Sequence, residues 1–569
     1  MPLVDYDATQ RALASMKSDR ESYDSHWLEL QDFFLPRRGR WLSRGKGSES
    51  DRGRKVNQKL VDPTPRLAVR TAAAGIHAGS TNPATPWFKL ETPDPELTEY
   101  KTVARWLYSV ENLIRSVFER CNVYSVLPSL YGDGITFGTA PMSILEHPTQ
   151  VIQCVPSAIG SYYLGTNYEG GVDTKYCEYK MTATHMQDQF GKQNLPPNVL
   201  SALQQSNKQS YFDVLHIIEP NSGRQYGNFS AQHMPFRSAY LMQGEGVEKR
   251  VLKESGFEDN PLAALRWETT EITDPYGSSP GMDALGCAKA MQVQQKRKAQ
   301  AIDKHVDPPM VADPALRNEA SSLLPGDITY SGFTPNGTAP RFQPAYIIKP
   351  ELAGLMADIE DVRRLVEEAM YTNLFLAITR ADPRNASVPE IAARREEQIL
   401  GLGPMLQNHR DGLIKPLIDR TFYIMMRQGR LPRPPPELEG VDLKVEMIGI
   451  LAQALKAVRS TGIERFMGYV GMVAKAQADA GEAPTALDKV DLDQSIDEYA
   501  LAIGVPPTVV RGDDDVAAIR EGRAQAQQEA QELAAAEQGA NALKSGATAA
   551  KTLSETPVGA GNALEAVAG

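Results

Sequence analysis

One stretch of the sequence matches a catalytic pattern. Residues 277–281 read GSSPG, which fits the GxSxG motif of hydrolases that use a serine nucleophile. That mechanism needs the backbone N–H of the next residue in its oxyanion hole, and here that residue is Pro280, which has no N–H. The same residues suit a helix start better, with Ser279 as the N-cap and Pro280 in the first turn. We therefore predict a structural role for Ser279, and a hydrolase is the minor alternative.

Other groupings do not predict a metal, a cofactor or a catalytic centre. Gly39 to Lys46 has one residue too many for a phosphate-binding Walker A loop, and Asp513 to Asp515 precede an Ala-rich helix whose N-terminal dipole they would stabilise. The histidines are scattered, and the cysteines form no CxxC pair, so neither a zinc site nor a disulfide framework is expected. We expect free thiols at all four cysteines, which are Cys121, Cys154, Cys177 and Cys287.

Two clusters of basic residues could contact an acidic partner or phosphates. Nine Lys and Arg residues with interspersed Gly and Ser occupy residues 37–59, which predicts a loop that contacts a partner. Lys296, Arg297 and Lys298 are consecutive and cannot share one helix face, so a solvated helix is expected there. The partner-contact candidates of the first cluster are Arg37, Arg38, Arg40, Arg44, Lys46, Arg52, Arg54 and Lys55.

Composition narrows the class of protein. The 569 residues are 42% hydrophobic and 23% charged, as in globular proteins, and the net charge of −11 excludes a protein that coats nucleic acid by bulk charge. No apolar stretch approaches the roughly 20 residues of a membrane span, and the N-terminus lacks the apolar core of a signal peptide. We expect no stable membrane association and no secretion.

The N-terminal half of the chain predicts helices followed by strands. Apolar residues at helical spacing predict helices over 7–34, 64–77 and 95–120. From about Gly132 to Asp274, short β-branched and aromatic runs alternate with turn residues and predict a β-rich region. Within it, Thr184 and Gln187 form a capping-box pattern that predicts the start of a short helix.

Two long helices separated by an irregular segment follow. Residues 280–305 lack helix breakers after Gly286, and residues 351–376 have apolar side chains stepping by three and four. Between them, residues 306–350 are dense in Pro and Gly, and loops of this length are usually functional. Residues 377–389 form a breaker-rich turn, and a kinked helical region with a Pro-rich linker follows over 390–436. Residues 437–543 should be a helical domain, and the Gly/Ala/Ser/Thr tail over 544–569 should be disordered.

Several segments, in this order along the chain, resemble one protein family. The chain resembles the head-to-tail connecting (portal) proteins of short-tailed, podovirus-type bacteriophages. The resemblance covers about residues 6 to 540, and no single segment is diagnostic. It rests on FFLPRRGRW ending the first helix, DPTPRLAVRTAAAGIHAGSTNPATPWFKL from Asp62, SLYGDGITFGTAPMSI from Ser129, YGSSPGMDALGCAKAMQVQQ from Tyr276, HVDPPMV from His305 and LAIGVPPTVVR from Leu501.

The resemblance implies a mainly α fold with an α+β wing. Residues 1–279 would be the wing, 280–305 and 351–376 the two stem helices, 306–350 the clip between them and 377–389 a tunnel loop near DNA. Residues 390–436 would be a kinked wing helix with its linker, and 437–543 a helical crown whose last helix could form a barrel. The resemblance and the basic residues of the first stem helix together give the candidates for the DNA channel, which are Thr379, Arg380, Arg384, Lys296, Lys298 and Lys304.

The resemblance also implies a function without an active site. Such proteins form dodecameric rings at one capsid vertex, through which double-stranded DNA is packaged and ejected. The implied partners are the terminase large subunit, the major capsid and scaffolding proteins, and tail adaptor or nozzle proteins. The implied locations are the virion and, during assembly, the host cytoplasm. Two other hypotheses remain open at this point, a nuclease or hydrolase that uses scattered carboxylates and a tail or scaffold component without a DNA channel.

Overall fold

The structure is a computed structural model in which the chain divides into two units, Met1–Val458 and Arg459–Gly569. We describe each unit by itself. The residues that the structure describes are 5–43, 59–94, 97–98, 100–204, 210–228, 230–244, 251–308, 310–312, 342–344, 352–379, 403–438, 440, 443–448, 466–480, 483, 485–503, 511, 513–555, 557–558 and 561–562.

The first unit begins with a layer of helices. Helix α1 begins where the Asp5 carboxylate accepts hydrogen bonds from the backbone N–H groups of Asp7 and Ala8, as an N-cap does. The predicted helix over 95–120 is interrupted at Tyr100: residues 97–98 are helical, and the long helix begins at Lys101. The helices of this layer are α1 (Tyr6–Phe33), α2 (Arg40–Ser43), α3 (Thr64–Ser80), α4 (Lys101–Arg120) and α5 (Val123–Phe137).

The β-rich region contains two antiparallel sheets. One sheet has the order β3-β2-β9 and the other has the order β4-β5-β6-β7-β8. The β-rich region was expected from about Gly132, but α5 continues to Phe137 and the first strand of the region begins at Thr139. The strands are β2 (Thr139–His147), β3 (Val151–Pro156), β4 (Tyr162–Thr166), β5 (Val172–Thr182), β6 (Tyr211–Pro220), β7 (Phe236–Met242), β8 (Val251–Phe257) and β9 (Leu262–Arg266).

Two short helices cover one end of the five-stranded sheet. They are α6 (Ala183–Phe190) and α7 (Pro197–Gln204). The predicted cap at Thr184 was wrong, because Thr182 is the extended residue whose hydroxyl accepts the hydrogen bond from the His185 N–H. The helix therefore begins two residues earlier than the capping-box pattern indicated, directly after β5 ends at Thr182.

An aromatic cluster joins the helical layer to the sheets. The Trp27 ring packs edge-on against Tyr276, and its indole N–H donates to the Phe137 carbonyl oxygen over 3.0 Å. The Tyr162 ring also packs against Trp27, and its hydroxyl donates to the Thr139 carbonyl oxygen. Such large buried rings, with their polar atoms satisfied, dominate the energy of a core. Residues distant in the sequence are thereby fixed around the start of the first long helix.

The two long helices are α8 (Pro280–Val306) and α9 (Leu352–Ala369). The first matches the sequence prediction, whereas the prediction of one helix over 351–376 was wrong. Tyr371 has a left-handed φ of 54°, and a separate helix α10 (Thr372–Thr379) follows it. After the break, Phe375 of α10 packs closely against Gly75 of α3. The packing of the Phe375 ring in the core is therefore consistent with a local interruption of the helix at Tyr371.

The remaining part of the first unit is an irregular helical rod and a short sheet. Helix α11 (Gly403–His409) continues through a π-helical turn (Arg410–Ile414) into α12 (Lys415–Arg427). The predicted irregularity is therefore a π segment that ends before Pro416, which lies in the first turn of α12. Strand β1 (Phe88–Glu91) pairs in antiparallel fashion with β12 (Lys444–Met447). This pair joins the N-terminal helices to the end of the unit.

The described part of the second unit is helical except for a short antiparallel pair in the predicted tail, Pro557–Val558 with Gly561–Asn562. Helix α13 spans 466–479, α14 spans Leu492–Ile503 and α15 spans Asp513–Glu555. The Arg520 guanidinium of α15 donates two hydrogen bonds to the Asp493 carboxylate of α14. The prediction of a disordered tail from Lys544 was wrong as far as Glu555, because Ala and Lys are strong helix formers and sustain α15 through Gly546. The predicted helix at 451–458 lies outside the described residues.

Candidate functional site: the paired long helices

Helix α8 begins inside the core of the first unit. The Ser279 hydroxyl accepts a hydrogen bond from the Met282 N–H and donates to the Thr136 carbonyl oxygen over 2.9 Å. Pro280 occupies the first turn, as predicted. Ser279 is buried, and both of its hydrogen-bonding capacities are used. Its role as an N-cap is confirmed.

From Val293 onward, α8 leaves the core and pairs with α9. Gln292 is the last buried residue of α8, and after it only the side facing α9 is partly covered. Gln294 of α8 donates to the Asp358 carboxylate of α9 over 2.5 Å. Ile359 and Val366 form the buried side of α9. The two helices thus form a rod of two helices that is attached to the rest of the unit at one end.

A single carboxylate joins this rod to α3. Asp62 accepts hydrogen bonds from the N–H and the hydroxyl of Thr64 at the start of α3, from Gln295 of α8 and from Arg363 of α9. Burial would raise the pKa of Asp62, but the hydrogen bonds from Thr64 and Arg363 outweigh it and lower the pKa. Sequence reasoning missed Asp62; the Asp-Pro-Thr-Pro turn before α3 signals a cap, but not the contact with α9.

Large apolar side chains are exposed on the sides of the rod. Val306 is 76% exposed and Met356 is 55% exposed, although both lie on well-formed helices. Helices in water usually keep such side chains for a packed face. The exposed apolar residues of the rod are Val293, Ile302, Val306, Met356 and Leu365. This surface, which we call the rod flanks, is suited to contact with other protein chains.

The far end of the rod carries a two-stranded ribbon. Strand β10 (Met310–Ala312) pairs in antiparallel fashion with β11 (Phe342–Pro344), and Met310 lies opposite Pro344. The segment between the two long helices therefore leaves and returns side by side. Residues 313–341, within the predicted clip, lie outside the described residues.

The predicted DNA-channel residues do not all come together. Lys296 and Lys304 are exposed on α8, whereas Lys298 is half-buried. At about 100° per residue, Lys296 and Lys304 lie on one side of α8 and Lys298 points away from Lys296. The backbone of Thr379 ends α10, but its side chain lies outside the described residues, as do Arg380 and Arg384.

The predicted basic partner surface is only partly described. Arg37 is exposed, and the backbone of Arg40 begins α2. Arg38 instead pairs within the chain: its Nε lies 3.0 Å from the Asp133 carboxylate, and its Nη2 donates to the Ser129 carbonyl. Burial raises the pKa of Asp133 to about 6, against the effect of Arg38. The Arg38 charge thus serves a buried acid of its own chain. Arg44, Lys46, Arg52, Arg54 and Lys55 lie outside the described residues.

A buried polar network joins α11 and α5 to the residue that follows α3. The His409 Nε2 is 3.1 Å from the Tyr131 hydroxyl, which is 3.0 Å from the Thr81 hydroxyl. Burial lowers the pKa of His409 to about 4, so the ring is neutral at pH 7.

The described residues include no group of three or more His, Cys, Asp or Glu side chains that could hold a metal ion. Nor does any helix among them have the length and apolar character to cross a membrane.

All four cysteines are free thiols, as predicted. Cys154 and Cys177 are buried, and Cys121 and Cys287 are half-buried. Burial raises the pKa of the Cys121 thiol, which disfavours the reactive thiolate. The cysteines therefore belong to the packing of the first unit.

Comparison with known proteins identifies the family. A family model described as bacteriophage head to tail connecting protein matches residues 7–510. The chain is 41% identical to the portal protein of Salmonella phage epsilon15, over 98% of this chain and 97% of that protein. It is 36% identical to a probable portal protein of Bordetella phage BPP-1, over 92% of each. Among solved structures, a chain of the virion of a native gene transfer agent particle matches with a TM-score of 0.31 and 11% identity, over 74% of this chain and 91% of that chain.

A rod of two helices with apolar flanks, attached to an α+β body, is typical of a protein that assembles with other chains. The sequence comparisons make this class specific. The chain belongs to the bacteriophage head to tail connecting protein family, and the curated relatives named above are a portal protein and a probable portal protein. The family resemblance predicted from the sequence is confirmed.

Proposed function

We propose that this chain is the subunit of a portal ring at one capsid vertex, through which double-stranded DNA is packaged and later ejected. The observation that carries the proposal is the membership of the chain in the head to tail connecting protein family, and the exposed apolar flanks of the rod of α8 and α9 support it. In this proposal the rod is the stem, residues 306–350 with the β10–β11 ribbon are the clip, and the sheets with their helices form the wing. The crown, predicted over 437–543, would lie in the second unit, without residues 437–458, which belong to the first unit and include β12.

The rod flanks support assembly into a closed ring. Met356 and Leu365 are nine residues apart and, at about 100° per residue, point to opposite sides of α9. A subunit in a ring contacts one neighbour on each side through two different surfaces. Apolar side chains on opposite sides of one helix fit this requirement, because each would be covered by a different neighbour. Twelve subunits are expected from the family resemblance.

The charge of the chain supports passage of DNA without retention. Every phosphate that a protein neutralises adds salt-dependent affinity, so a channel should hold few such contacts. The net charge of −11 meets this condition. We assign the few contacts to Lys296 and Lys304 on the exposed side of α8 and to Thr379, Arg380 and Arg384 after the break at Tyr371.

Two surfaces of the subunit, the clip and the basic surface, would bind different partners. We propose that the clip binds the terminase large subunit during packaging and tail adaptor or nozzle proteins afterwards. The basic surface would contact the major capsid or scaffolding protein through Arg37, Arg40 and the basic residues from Arg44 to Lys55, without Arg38. Assembly would take place in the host cytoplasm, and the mature protein would remain in the virion.

Charge placed on the rod flanks tests the ring. Met356→Asp and Leu365→Asp should each prevent ring closure, because a carboxylate in an apolar interface is costly to desolvate. Sedimentation velocity should show the parent as one large species and both variants as smaller ones. Ser201→Asp, which adds the same charge to the exposed surface of α7, should leave the large species intact. Rings that form normally in both flank variants would contradict the proposed interface.

Removal of charge tests the DNA contacts. Arg380→Ala with Arg384→Ala should change the amount of DNA packaged or retained while rings still form. Lys296→Gln with Lys304→Gln should lower the slope of log affinity against log salt for duplex DNA by about one per lost contact. A slope equal to that of the parent would remove these two lysines from the channel.

A further inference from the structure

Residues 59–62 lie where the rod of α8 and α9 meets the rest of the first unit. Lys59 donates to the Asp32 carboxylate of α1 over 2.6 Å, which fixes one end of this short segment. Asp62 fixes the other end, because its carboxylate caps α3 through Thr64. The segment therefore connects two helices of the body directly beside the rod.

Both helices of the rod bind this segment. The Gln292 side-chain oxygen accepts hydrogen bonds from the backbone N–H groups of Val61 and Asp62, each over 2.7 Å, and its amide donates to the Asp62 carbonyl over 3.0 Å. Arg363 of α9 donates to the Asp62 carboxylate through Nη2 over 2.8 Å and through Nε over 3.2 Å. Gln295 adds a hydrogen bond from α8 over 2.9 Å. One carboxylate thus contacts α3, α8 and α9.

The position of this contact along the rod gives it leverage. Gln292 is the last buried residue of α8, and Arg363 lies one turn before Val366, which packs in the main core. Beyond these two residues, the described part of each helix packs chiefly on the other helix of the rod. A contact at the point where the rod leaves the core controls the direction of everything beyond it, because small rotations there become large displacements at the far end.

We propose that Asp62 is the positioning residue that sets the direction of the rod relative to the body of the subunit. A change in the tilt of the rod must break the Asp62–Arg363 ion pair, so this pair acts as a latch. The inference deepens the proposed function, and it rests on it, because rod tilt would set the width of the channel. The Asp62 carboxylate is buried and the Arg363 side chain is 37% exposed, and two guanidinium nitrogens donate to one carboxylate oxygen. Such a charge-assisted contact is suited to this task, since it is directional and loses its energy within a small displacement.

Hydrogen exchange of the purified full chain tests the latch. Asp62→Asn and Arg363→Met should each accelerate exchange of the amides of residues 352–362 by on the order of tenfold, the change expected for loss of one charge-assisted hydrogen bond. Exchange in α4, on the body, should stay within about twofold of the parent. Asp361→Asn is the matched control, because Asp361 forms an exposed ion pair with Arg364 on the same helix.

A double-mutant cycle separates a latch from general destabilisation. Asp62→Asn combined with Arg363→Met should exchange within about twofold of either single variant, because both remove the same bond. Asp62→Asn combined with Arg364→Met should show the product of the two separate effects. Arg363→Lys should restore part of the protection, since it keeps the charge but loses the two guanidinium donors.

Failure of the latch and failure of the proposed ring would give different results, because hydrogen exchange tests the first and electron microscopy the second. Unchanged exchange in Asp62→Asn, or an equal change in Asp361→Asn, would overturn the latch. Electron microscopy of the same preparations reads ring formation separately, and in rings the Asp62→Asn variant should show a displaced or blurred rod. Rings of Asp62→Asn whose rods superimpose on those of the parent would also overturn it.

Discussion

The close contact between Gly75 and Phe375 gives a sharp prediction. A Cβ atom placed on Gly75 would lie 2.3 Å from the Phe375 Cβ and 2.7 Å from its Cγ, whereas carbon atoms pack at about 3.5–4.0 Å. Gly75→Ala must therefore push α10 away from α3 by about 1 Å or more. Overpacking of this kind costs about 1–3 kcal/mol, and the better helix propensity of Ala returns up to about 1 kcal/mol. We expect a net loss of about 1–2 kcal/mol in the free energy of unfolding.

Urea unfolding followed by tryptophan fluorescence measures this loss selectively. All five tryptophans, at positions 27, 41, 87, 106 and 267, lie in the first unit, so the second unit does not contribute. Gly286→Ala in α8 is the matched control, because a Cβ there meets nothing within 4 Å. That variant should be more stable than the parent by about 0.5–1 kcal/mol.

The pair of variants decides whether α10 is held by this contact. If Gly75→Ala is as stable as Gly286→Ala, the close packing of α3 on α10 and the reason given for the helix break at Tyr371 are both refuted. A functional effect should accompany the loss, because α10 ends at Thr379, directly before the proposed DNA-contacting residues. Rings of the Gly75→Ala variant should then retain an amount of DNA that differs from that of the parent rings.

Three further predictions concern buried polar groups of the first unit, all read by the same unfolding titration. Arg38→Met should lower stability at pH 7 by about 1–3 kcal/mol and by less at pH 5, because its partner Asp133 has a raised pKa and a protonated carboxyl needs no counter-charge; Arg37→Met should change little. His409 should make the parent less stable as the pH falls from about 6.5 to 4, because its pKa is lowered in the folded chain and only the unfolded chain takes up the proton in this range. His409→Gln should lack this pH-dependent loss of stability, and a pH profile equal to that of the parent would contradict the reasoning. Ser279→Ala should cost about 1 kcal/mol as a lost N-cap, whereas Ser278→Ala should stay within about 0.5 kcal/mol of the parent.

The parts of the fold that local signals encode could be predicted from the sequence. Helix α8 is marked by Ser279, Pro280 and a long run of helix formers, and the structure begins and ends it within one residue of the prediction. The β-rich region is also local, because β-branched runs and turn residues alternate there. The short helix at residue 183 was predicted with the wrong cap, since Thr182 and Thr184 carry the same chemistry and only the end of β5 decides between them.

The parts that depend on distant contacts could not be predicted. The apolar spacing of residues 351–376 continues through Tyr371, and the break there fits the packing of Phe375 on Gly75, 300 positions earlier. The Asp62–Arg363 pair joins residues 301 positions apart. Arg38 was grouped with a basic surface because its neighbours are basic, whereas its partner Asp133 lies in α5. Charge clusters in a sequence therefore overstate the surface that remains for partners.

Electron microscopy of the purified full-length protein tests the central claim most directly. The account predicts closed rings with an axial channel wide enough for a DNA duplex, lined by the rods of neighbouring subunits. Monomers, open filaments or rings without an axial channel would contradict it.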